Sequence, residues 1–371
     1  MNFEFRQKPL QLRSILIAVL TGILIGAVIV LCCGYDPFEI FGALLSGAAG
    51  SARNLSTSLR WTTPLLFTGV AAALSFRGGM FNFGIEGQLC MGGLASTLVG
   101  VYGAALPGPL LILLMMAAGM AAGALWAVIP AIVRVRLNGS EIVPALMLNY
   151  TAANLTEYLV HWYFLASGSH GDTLKTEEIA EQAKLAKIIP GYQITYGFII
   201  GLLVVALFWF LMKKSRLGYD ISMSGFNPEF AHYGGVNVDK MRITVMLLSG
   251  AIAGLGGAVE VMAVRWRYET EFSPAYGDDG ILAALLGSST PLGTMLGAFF
   301  MGFLKAGSLA VERYTEVSRA FATVIKGTVI CLVSARMLSQ YLGVDALADK
   351  VAGRLPARFR KDRVNREEGT T

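Results

Sequence analysis

The stretch Arg77–Gly93, RGGMFNFGIEGQLCMGG, places an asparagine, a glutamate and a glutamine between long apolar runs. In a lipid environment each of these polar groups costs free energy and needs a partner or a function. The glycines permit a break in a helix, and irregular backbone is tolerated at membrane depth only where protein or water covers it. The stretch therefore predicts a broken membrane helix that faces a cavity, with Asn82, Glu86 and Gln88 beside the break.

The composition of the chain decides its class. Of 371 residues, 54% are hydrophobic and 15% are charged, and the mean hydropathy is +0.58. Soluble domains carry about 25% charged residues, so this composition predicts an all-α polytopic membrane protein. The length accommodates about ten transmembrane helices of about 20 residues each. The four cysteines lie in apolar sequence without metal-ligand spacing, and no disulfide framework is expected.

Ten apolar segments predict the spans, and one of them is too short for a straight crossing. The segment 278–290 must be tilted, broken or re-entrant. The first segment follows basic residues as a signal peptide would, but it lacks a small-residue cleavage site, so an uncleaved helix is expected. The segments are 14–33, 61–76, 85–105, 109–133, 140–165, 195–212, 240–262, 278–290, 291–310 and 318–340.

Basic residues set the predicted orientation. The pair Arg134 and Arg136, the cluster 213–216, the Arg-rich tail 354–366 and the basic N-terminus fall on one side of this arrangement. Because positive charge is enriched in cytoplasmic loops, that side and both termini are expected in the cytoplasm of a multi-pass cell-membrane protein. The connection 167–192 is then an exposed outer loop.

The fifth span carries a polar face. Tyr150, Asn154, Glu157 and His161 are spaced i, i+4, i+7 and i+11, which puts them on one side of a helix. They form either a polar seam satisfied by neighbouring helices or the lining of a water-filled pathway. The position of Asn149 and Tyr150 directly after an apolar half-span favours the pathway.

Two other spans contain isolated features. In the seventh, Gly250, Gly254 and Gly257 form a stripe of small residues that predicts close helix packing. Glu260, just beyond the stripe, is expected to pair with a neighbour rather than to contact a substrate. In the last span, Lys326 either extends to the outer surface or pairs with a buried carboxylate.

A second break follows in the other half of the chain. The residues YGDDG at Tyr276–Gly280 lead into a short apolar run, 281–286. Paired broken segments in two halves of a transporter indicate a central site at an internal repeat. The predicted repeat halves are residues 61–165 and 240–340, within a single transmembrane domain that spans 1–371.

The inner connection 213–242 reads KKSRLGYDISMSGFNPEFAHYGGVNVDKMR. Its N-P-E start at Asn227 and its Gly-Gly stop at Gly234 indicate a short helix with a capped start and a defined end. An exposed helix of this kind between two spans is typical of a docking surface; the alternative is a solvated linker. Because the P-loop pattern G-x-x-x-x-G-K-[ST] is absent from the sequence, any ATP hydrolysis must come from another subunit.

Four motifs in order resemble those of permease subunits of ATP-binding-cassette (ABC) importers, in the group that includes branched-chain amino acid, ribose and nucleoside systems. The L-M-L-N-Y and E-G-Q versions are most similar to the larger permease of nucleoside importers. The motifs are NFGIEGQ at Asn82–Gln88, NGSEIVPALMLNY at Asn138–Tyr150, R-x-G…G-x-N-P-E-x-A-x-Y-x-G at 216–235 and G-x-x-x-A-L-L-G-x-x-x-P-L-G at 280–293.

The resemblance implies a plasma-membrane or inner-membrane permease that imports nucleosides beside a second, different permease chain, a cytoplasmic ABC ATPase and a substrate-binding lipoprotein. No enzymatic activity, cofactor, metal site or nucleic-acid partner is expected of this chain. The residues expected to dock on the ATPase are Arg216, Gly218, Asn227, Pro228, Glu229, Ala231 and Gly235. The residues expected to line the substrate pathway are Asn82, Glu86, Gln88, Asn149, Tyr150, Asn154 and Glu157.

Several alternatives stay open. A ribose-like sugar or a branched-chain amino acid would suit the same architecture. An ion-driven secondary transporter would account for charged residues inside the membrane, such as Glu86, Glu157 and Lys326. A membrane-embedded enzyme is disfavoured because no nucleophile or metal constellation can be assembled. Glu86 also has the simpler alternative role of capping backbone N–H groups that the helix break frees.

Overall fold

The computed structural model describes residues 27–28, 30–32, 34–167, 174–314 and 327. The chain divides into two compact units, one comprising residues 1–7 and 38–322 and the other comprising residues 8–37 and 323–371. In the second unit, residues 27–28 and 30–32 are helical. Most of the predicted first span, the predicted last span, Lys326 and the basic tail lie outside the described residues.

Eleven α-helices form between residues 34 and 314, and pairing between extended segments in this part is limited to two isolated bridges. The prediction of an all-α protein is confirmed for the described part of the chain. The helices are α1 (Pro37–Ala49), α2 (Ala52–Arg77), α3 (Ile85–Tyr102), α4 (Gly108–Arg136), α5 (Ile142–Tyr163), α6 (Tyr196–Lys214), α7 (Arg216–Phe226), α8 (Pro228–Tyr233), α9 (Val238–Glu260), α10 (Tyr276–Leu286) and α11 (Pro291–Tyr314).

Four of the described helices are long and apolar enough to cross a membrane: Gly108–Arg136, Tyr196–Lys214, Val238–Arg265 and Pro291–Arg313. The helices α2, α3 and α5 are also at least 18 residues long but are not among these four. Many of the polar residues of α2 are buried serines and threonines that bond to carbonyl oxygens one turn earlier. The chain is therefore a multi-pass membrane protein, and the count of ten spans stays a prediction.

Helix α9 packs closely between α3 and α4 because both of its contact surfaces are built from glycine. A methyl group added at Gly250 would lie 2.5 Å from the Gly123 carbonyl oxygen of α4, and one at Gly257 would overlap the Leu89 carbonyl oxygen of α3. Gly254 meets both Gly119 and Gly123 in the same way. The predicted packing role of this stripe is confirmed.

The segment 278–290 is not a straight span. Its helix, α10, has only 11 residues and ends at Gly287, so it extends about 16 Å, roughly half of the hydrocarbon thickness. It lies against α2 and turns back into α11. A helix that the sequence analysis did not predict, α1, precedes α2 and has 13 residues.

Candidate functional site

The first break lies between α2 and α3 and is organised around Asn82. The side chain of Asn82 is fully buried. Its Nδ2 donates to Gln88 Oε1 and to Ser249 Oγ, both at 2.8 Å, and its Oδ1 accepts from Gln88 Nε2 and from the Gly84 N–H at 3.0 Å. The amide groups of Asn82 and Gln88 therefore satisfy each other inside the protein and hold the break against α9.

Residues of α5 and its N-terminal flank also form hydrogen bonds to the same break. Asn149 Oδ1 accepts from the Gly87 N–H at 2.9 Å, and Asn149 Nδ2 donates to the Phe83 carbonyl oxygen at 2.8 Å. Near the start of α5, Glu141 is buried and accepts from the Phe81 N–H at 3.0 Å. These bonds satisfy backbone groups that a continuous helix would have paired internally.

The second break separates α9 from α10. Helix α9 continues into a π-helical turn, Val261–Arg265, and the chain then runs irregularly to Ala275, which has φ 63°. At the start of α10 the Gly277 N–H donates to Glu86 Oε2 at 2.5 Å. The two breaks predicted from the sequence thus meet at Glu86, which caps an N–H group of the opposite break rather than one freed by its own.

A cavity lies beside this meeting point. Helix α3 contributes Glu86 and Cys90 to its wall, α5 contributes Asn149 and Glu157 among other residues, and residues 268 and 270–273 form a third wall. Its volume is about 160 Å³, below the roughly 300–1,000 Å³ of drug-sized ligand sites. The rings of Tyr268 and Phe272 stack with their centroids 4.7 Å apart.

The seven predicted pathway residues fall into three groups. Glu86, Asn149 and Glu157 line the cavity. Tyr150 and Asn154 lie on the exposed face of α5, where Tyr150 is 70% exposed. Asn82 and Gln88 are buried in the first break. The role of all seven residues in a substrate pathway stays a prediction.

The cavity wall at 268–273 was missed by the sequence analysis. Glu271 and its aromatic neighbours lie outside any apolar span, and their only signal is a short run, YETEF, in which two aromatic residues flank two glutamates. The connection 174–192 holds this wall in place, since the Thr176 N–H donates to the Tyr268 carbonyl oxygen at 2.9 Å and the Ile179 N–H donates to that of Trp266 at 2.8 Å.

Ion pairs also stabilise this connection. Glu178 bonds to Lys184 at 2.9 Å and also to Arg267. The hydrogen bond from Lys184, helped by the positive charge of Arg267, holds the pKa of the Glu178 carboxyl below its usual range. The pKa of Lys184 is raised, first by its hydrogen bond to Glu181 and then by that to Glu178.

A buried ion pair anchors the second break. Arg60 of α2 bonds to Glu260 Oε1 at 2.7 Å, and the Tyr276 hydroxyl donates to the same oxygen at 2.9 Å. The prediction that Glu260 pairs with a neighbour is confirmed, although Arg60, far away in the sequence, was not identified as its partner. Lys305 bonds to Asp279 Oδ2 at 3.0 Å close by.

The inner connection forms two short helices. Asn227 caps α8 by accepting from the Phe230 N–H at 2.9 Å, and Gly235 follows its end with φ 83°. Among the seven predicted docking residues, Gly218 and Ala231 are buried supports, and the other five are exposed. Phe230 and Tyr233, which are 58% and 90% exposed, were not predicted. The five exposed residues are Arg216, Asn227, Pro228, Glu229 and Gly235.

The chain offers no metal centre in the part that the structure describes: no group of three or more His, Cys, Asp or Glu side chains there is arranged to hold an ion. The cavity and the exposed loop helix are therefore the two features on which a function rests. The first is suited to a small polar molecule and the second to a protein surface.

Comparison with known proteins identifies the family. Residues 54–334 match the family described as the permease component of branched-chain amino acid transport systems. The guanosine ABC transporter permease protein NupP of Bacillus subtilis is 35% identical over 327 residues, which cover 86% of this chain and 92% of that protein. The glucose ABC transporter permease protein TsgB13 of Haloferax volcanii is 31% identical, covering 91% and 93% of the two chains.

A third relative, the nucleoside ABC transporter permease protein NupB of Lactococcus lactis, is 27% identical over 344 residues, covering 91% of this chain and 94% of that protein. Each of these matches extends across both breaks and the inner connection. Residues 54–334 match the family, and the chain is 35% identical to NupP over most of both proteins. This helical membrane protein therefore belongs to the branched-chain amino acid transport system permease family.

Proposed function

We propose that this chain forms one side of the passage of an ABC importer and that its cargo is a nucleoside. Its family makes it the membrane subunit of a transporter. ATP hydrolysis takes place in a separate subunit. Permeases of this kind work with an ATPase and a substrate-binding protein. The nucleoside as cargo, and the identity of the partners in this system, are the parts that we propose.

The cavity at the meeting of the two breaks is the observation that carries the proposal. It combines a stacked pair of aromatic rings, Tyr268 and Phe272, with side chains that accept hydrogen bonds, such as Glu86 and Glu157. A nucleoside has a flat base and a ribose with several hydroxyl groups, so it needs both kinds of contact. The NupP and NupB similarities support the same cargo.

The residues of the site divide the work. Glu86, Asn149 and Glu157 line the passage, whereas Asn82 and Gln88 keep the break rigid beside it. Tyr150 and Asn154 form an exposed polar face on α5, and polar groups in a membrane need a covering partner. We infer that a second permease chain, different from this one, faces α5 across the passage.

The exposed helix α8 is the proposed contact with the ATPase. It presents Glu229, Phe230 and Tyr233 to solvent on a capped turn, and the buried Ala231 seats it on the protein. Closure of the ATPase would move this helix and alternate the passage between its outward and inward openings. The other residues that we assign to this contact are Arg216, Gly218, Asn227, Pro228 and Gly235.

The wider architecture completes the proposal. We propose about ten spans in one transmembrane domain, with repeat halves at 61–165 and 240–340. Both termini and the coupling loop at 213–242, which contains α8, then lie in the cytoplasm. This orientation puts the cavity wall at 268–273 on the outer side, where a substrate-binding lipoprotein delivers its cargo. The meeting of the two breaks at Glu86 and Gly277 supports the repeat.

The test is uptake of radiolabelled guanosine, adenosine and uridine by cells that carry this chain with its cognate subunits. E229R in α8 reverses an exposed charge on the proposed coupling surface, and E39R makes the same change on α1, where Glu39 is also exposed. We expect nucleoside uptake in the wild type and in E39R, and its loss in E229R with the protein still present in the membrane.

Two results would contradict the proposal. Absence of nucleoside uptake in the wild type would remove the cargo assignment, and normal uptake in E229R would remove the coupling assignment. A sugar is the second candidate cargo, since TsgB13 is similar over 91% of this chain. Uptake of labelled glucose or ribose in place of nucleosides would establish it.

A further inference from the structure

The cavity beside Glu86 has an unusual charge. Three of the twelve residues that line it are glutamates, and none is lysine, arginine or histidine. The glutamates come from three separate elements: Glu86 from α3, Glu157 from α5 and Glu271 from the irregular segment before α10. A solute in this cavity therefore meets carboxyl groups from three separate elements.

The nearest cations of the same region are engaged elsewhere. Arg265 lies on the far side of Phe272, where its guanidinium bonds to the Phe272 carbonyl oxygen at 3.1 Å and to Glu269 at 3.2 Å. Lys305 bonds to Asp279 and to a backbone carbonyl oxygen. Neither belongs to the cavity wall, although the positive charge of Lys305 acts on Glu86.

The other lining residues determine which further contacts a solute can make. Asn149 uses both ends of its amide on the first break, so it offers little to a solute. The stacked rings of Tyr268 and Phe272 present apolar faces. The cavity thus combines carboxylate acceptors with aromatic surface, which suits an uncharged solute that carries hydroxyl groups and a flat ring.

We propose that Glu157 and Glu271 are specificity-determining residues that exclude anions from this cavity, so that nucleosides enter and phosphorylated nucleosides do not. The inference rests on the proposed function for the identity of the cargo. Its electrostatic content does not, because the charge of the cavity can be measured without any cargo.

The measurement uses a thiol reporter in the complete transporter. The four native cysteines are replaced by alanine, and A153C places one cysteine on the exposed, cavity-lining position of α5 one turn before Glu157. Its reaction rates are compared for a cationic and an anionic methanethiosulfonate of similar size. The thiolate attacks the sulfur of either reagent, forms a mixed disulfide and releases methanesulfinate, so the ratio of rates reports the local potential and not the thiol ionisation.

We expect the cationic reagent to be strongly favoured at the A153C thiol relative to a small free thiol. Charges about 6 Å apart in a water-filled space, with reagents that differ by two charges, give about a tenfold fall in the ratio for E157Q. E271Q should lower it in the same direction. E178Q, which removes a carboxylate of the outer loop, and a T151C reporter on the exposed surface of α5 provide the matched controls.

Competition links the potential to the cargo. Guanosine should slow the modification of the A153C thiol when both glutamates are present, guanosine 5′-monophosphate should not, and both should do so in E157Q/E271Q. Three results would overturn the inference: no reaction with either reagent, a rate ratio that the two substitutions leave unchanged, or equal protection by nucleoside and nucleotide before substitution.

The two proposals fail in different ways. If the wild-type complex takes up no nucleoside, the cargo assignment fails, while the rate ratio still decides whether the cavity excludes anions. If guanosine is taken up but neither glutamate substitution changes the ratio of modification rates, the proposed cargo is supported and the proposed exclusion of anions is refuted. A thermal unfolding midpoint of the A153C protein close to that of the wild type shows that the reporter chain is folded.

Discussion

Replacing Arg60 by methionine tests how the second break is anchored. Arg60 and Glu260 form an ion pair at 2.7 Å, and their side chains are only 10% and 1% exposed. Removing one partner of a buried ion pair costs about 3–5 kcal/mol, because the other charge is left without compensation. Glu260 keeps the Tyr276 hydroxyl and has Arg265 at 3.9 Å, so we expect the lower end, about 3 kcal/mol.

The assay is the thermal unfolding midpoint of the purified protein in detergent. For a chain of this size, about 2 °C per kcal/mol is expected, so R60M should lower the midpoint by about 6 °C. The double variant R60M/E260Q removes the orphaned charge and keeps an oxygen for the Tyr276 hydroxyl, so it should recover most of the loss. R53M, which removes an exposed arginine two turns earlier on the same helix, should change little.

The stability that R60M/E260Q recovers relative to R60M is the decisive quantity. A coupling of at least about 2 kcal/mol between the two positions follows if the charge of Glu260 is what destabilises R60M. A double variant that is as unstable as R60M, or less stable by the sum of both single changes, would refute the account. Transport by R60M should fall only in proportion to the loss of folded protein.

Three further outcomes follow. N82A should destabilise the protein by about 2 kcal/mol in the same thermal assay, because it leaves buried polar partners unpaired, whereas N54A, at an exposed amide, should be nearly neutral. G277A should reduce uptake, because the added methyl would lie 2.5–2.7 Å from Glu86 atoms, whereas G42A, where it would meet nothing within 4 Å, should not. Hydrogen exchange at 174–180 should rise, relative to E178Q, as the pH falls through the lowered pKa of Glu178.

The sign of the last effect follows from linkage. A carboxyl whose pKa is lower in the folded state stabilises that state above its unfolded pKa and loses this contribution as the pH falls through the folded value. Because the pair is exposed, the effect is small and weakens in salt. Equal exchange in the wild type and in E178Q at every pH, a neutral N82A or a fully active G277A would each contradict the corresponding argument.

Long periodic features were predictable from the sequence. The apolar runs located α4, α6, α9 and α11 to within a few residues, because the length and apolar composition of a span are properties of each helix alone. Helix α2 begins well before the predicted segment 61–76, since its first turns are polar and pack against protein. Helix α1 was missed because its 13 residues are shorter than a membrane span.

The site was predictable only in part. The two breaks showed themselves through glycine and acidic residues, and the capped loop helix through its N-P-E start. The partners could not be predicted, because they are far apart in the chain: Asn82 bonds to Ser249, and Glu86 to Gly277. Glu271 escaped notice because an acidic residue in a loop has no periodicity to distinguish it.

The contact between α7 and the end of α2 determines how a displacement of the loop helices is transmitted. Helix α7 touches the end of α2 through glycines: a methyl on Gly79 would lie 3.0 Å from the Gly225 Cα, and one on Gly225 would overlap the Arg77 carbonyl oxygen. Where main chain rests on main chain, no side-chain rotamer can absorb a displacement. A push on the loop helices therefore reaches residues 77–80, and the break directly after them, without slack.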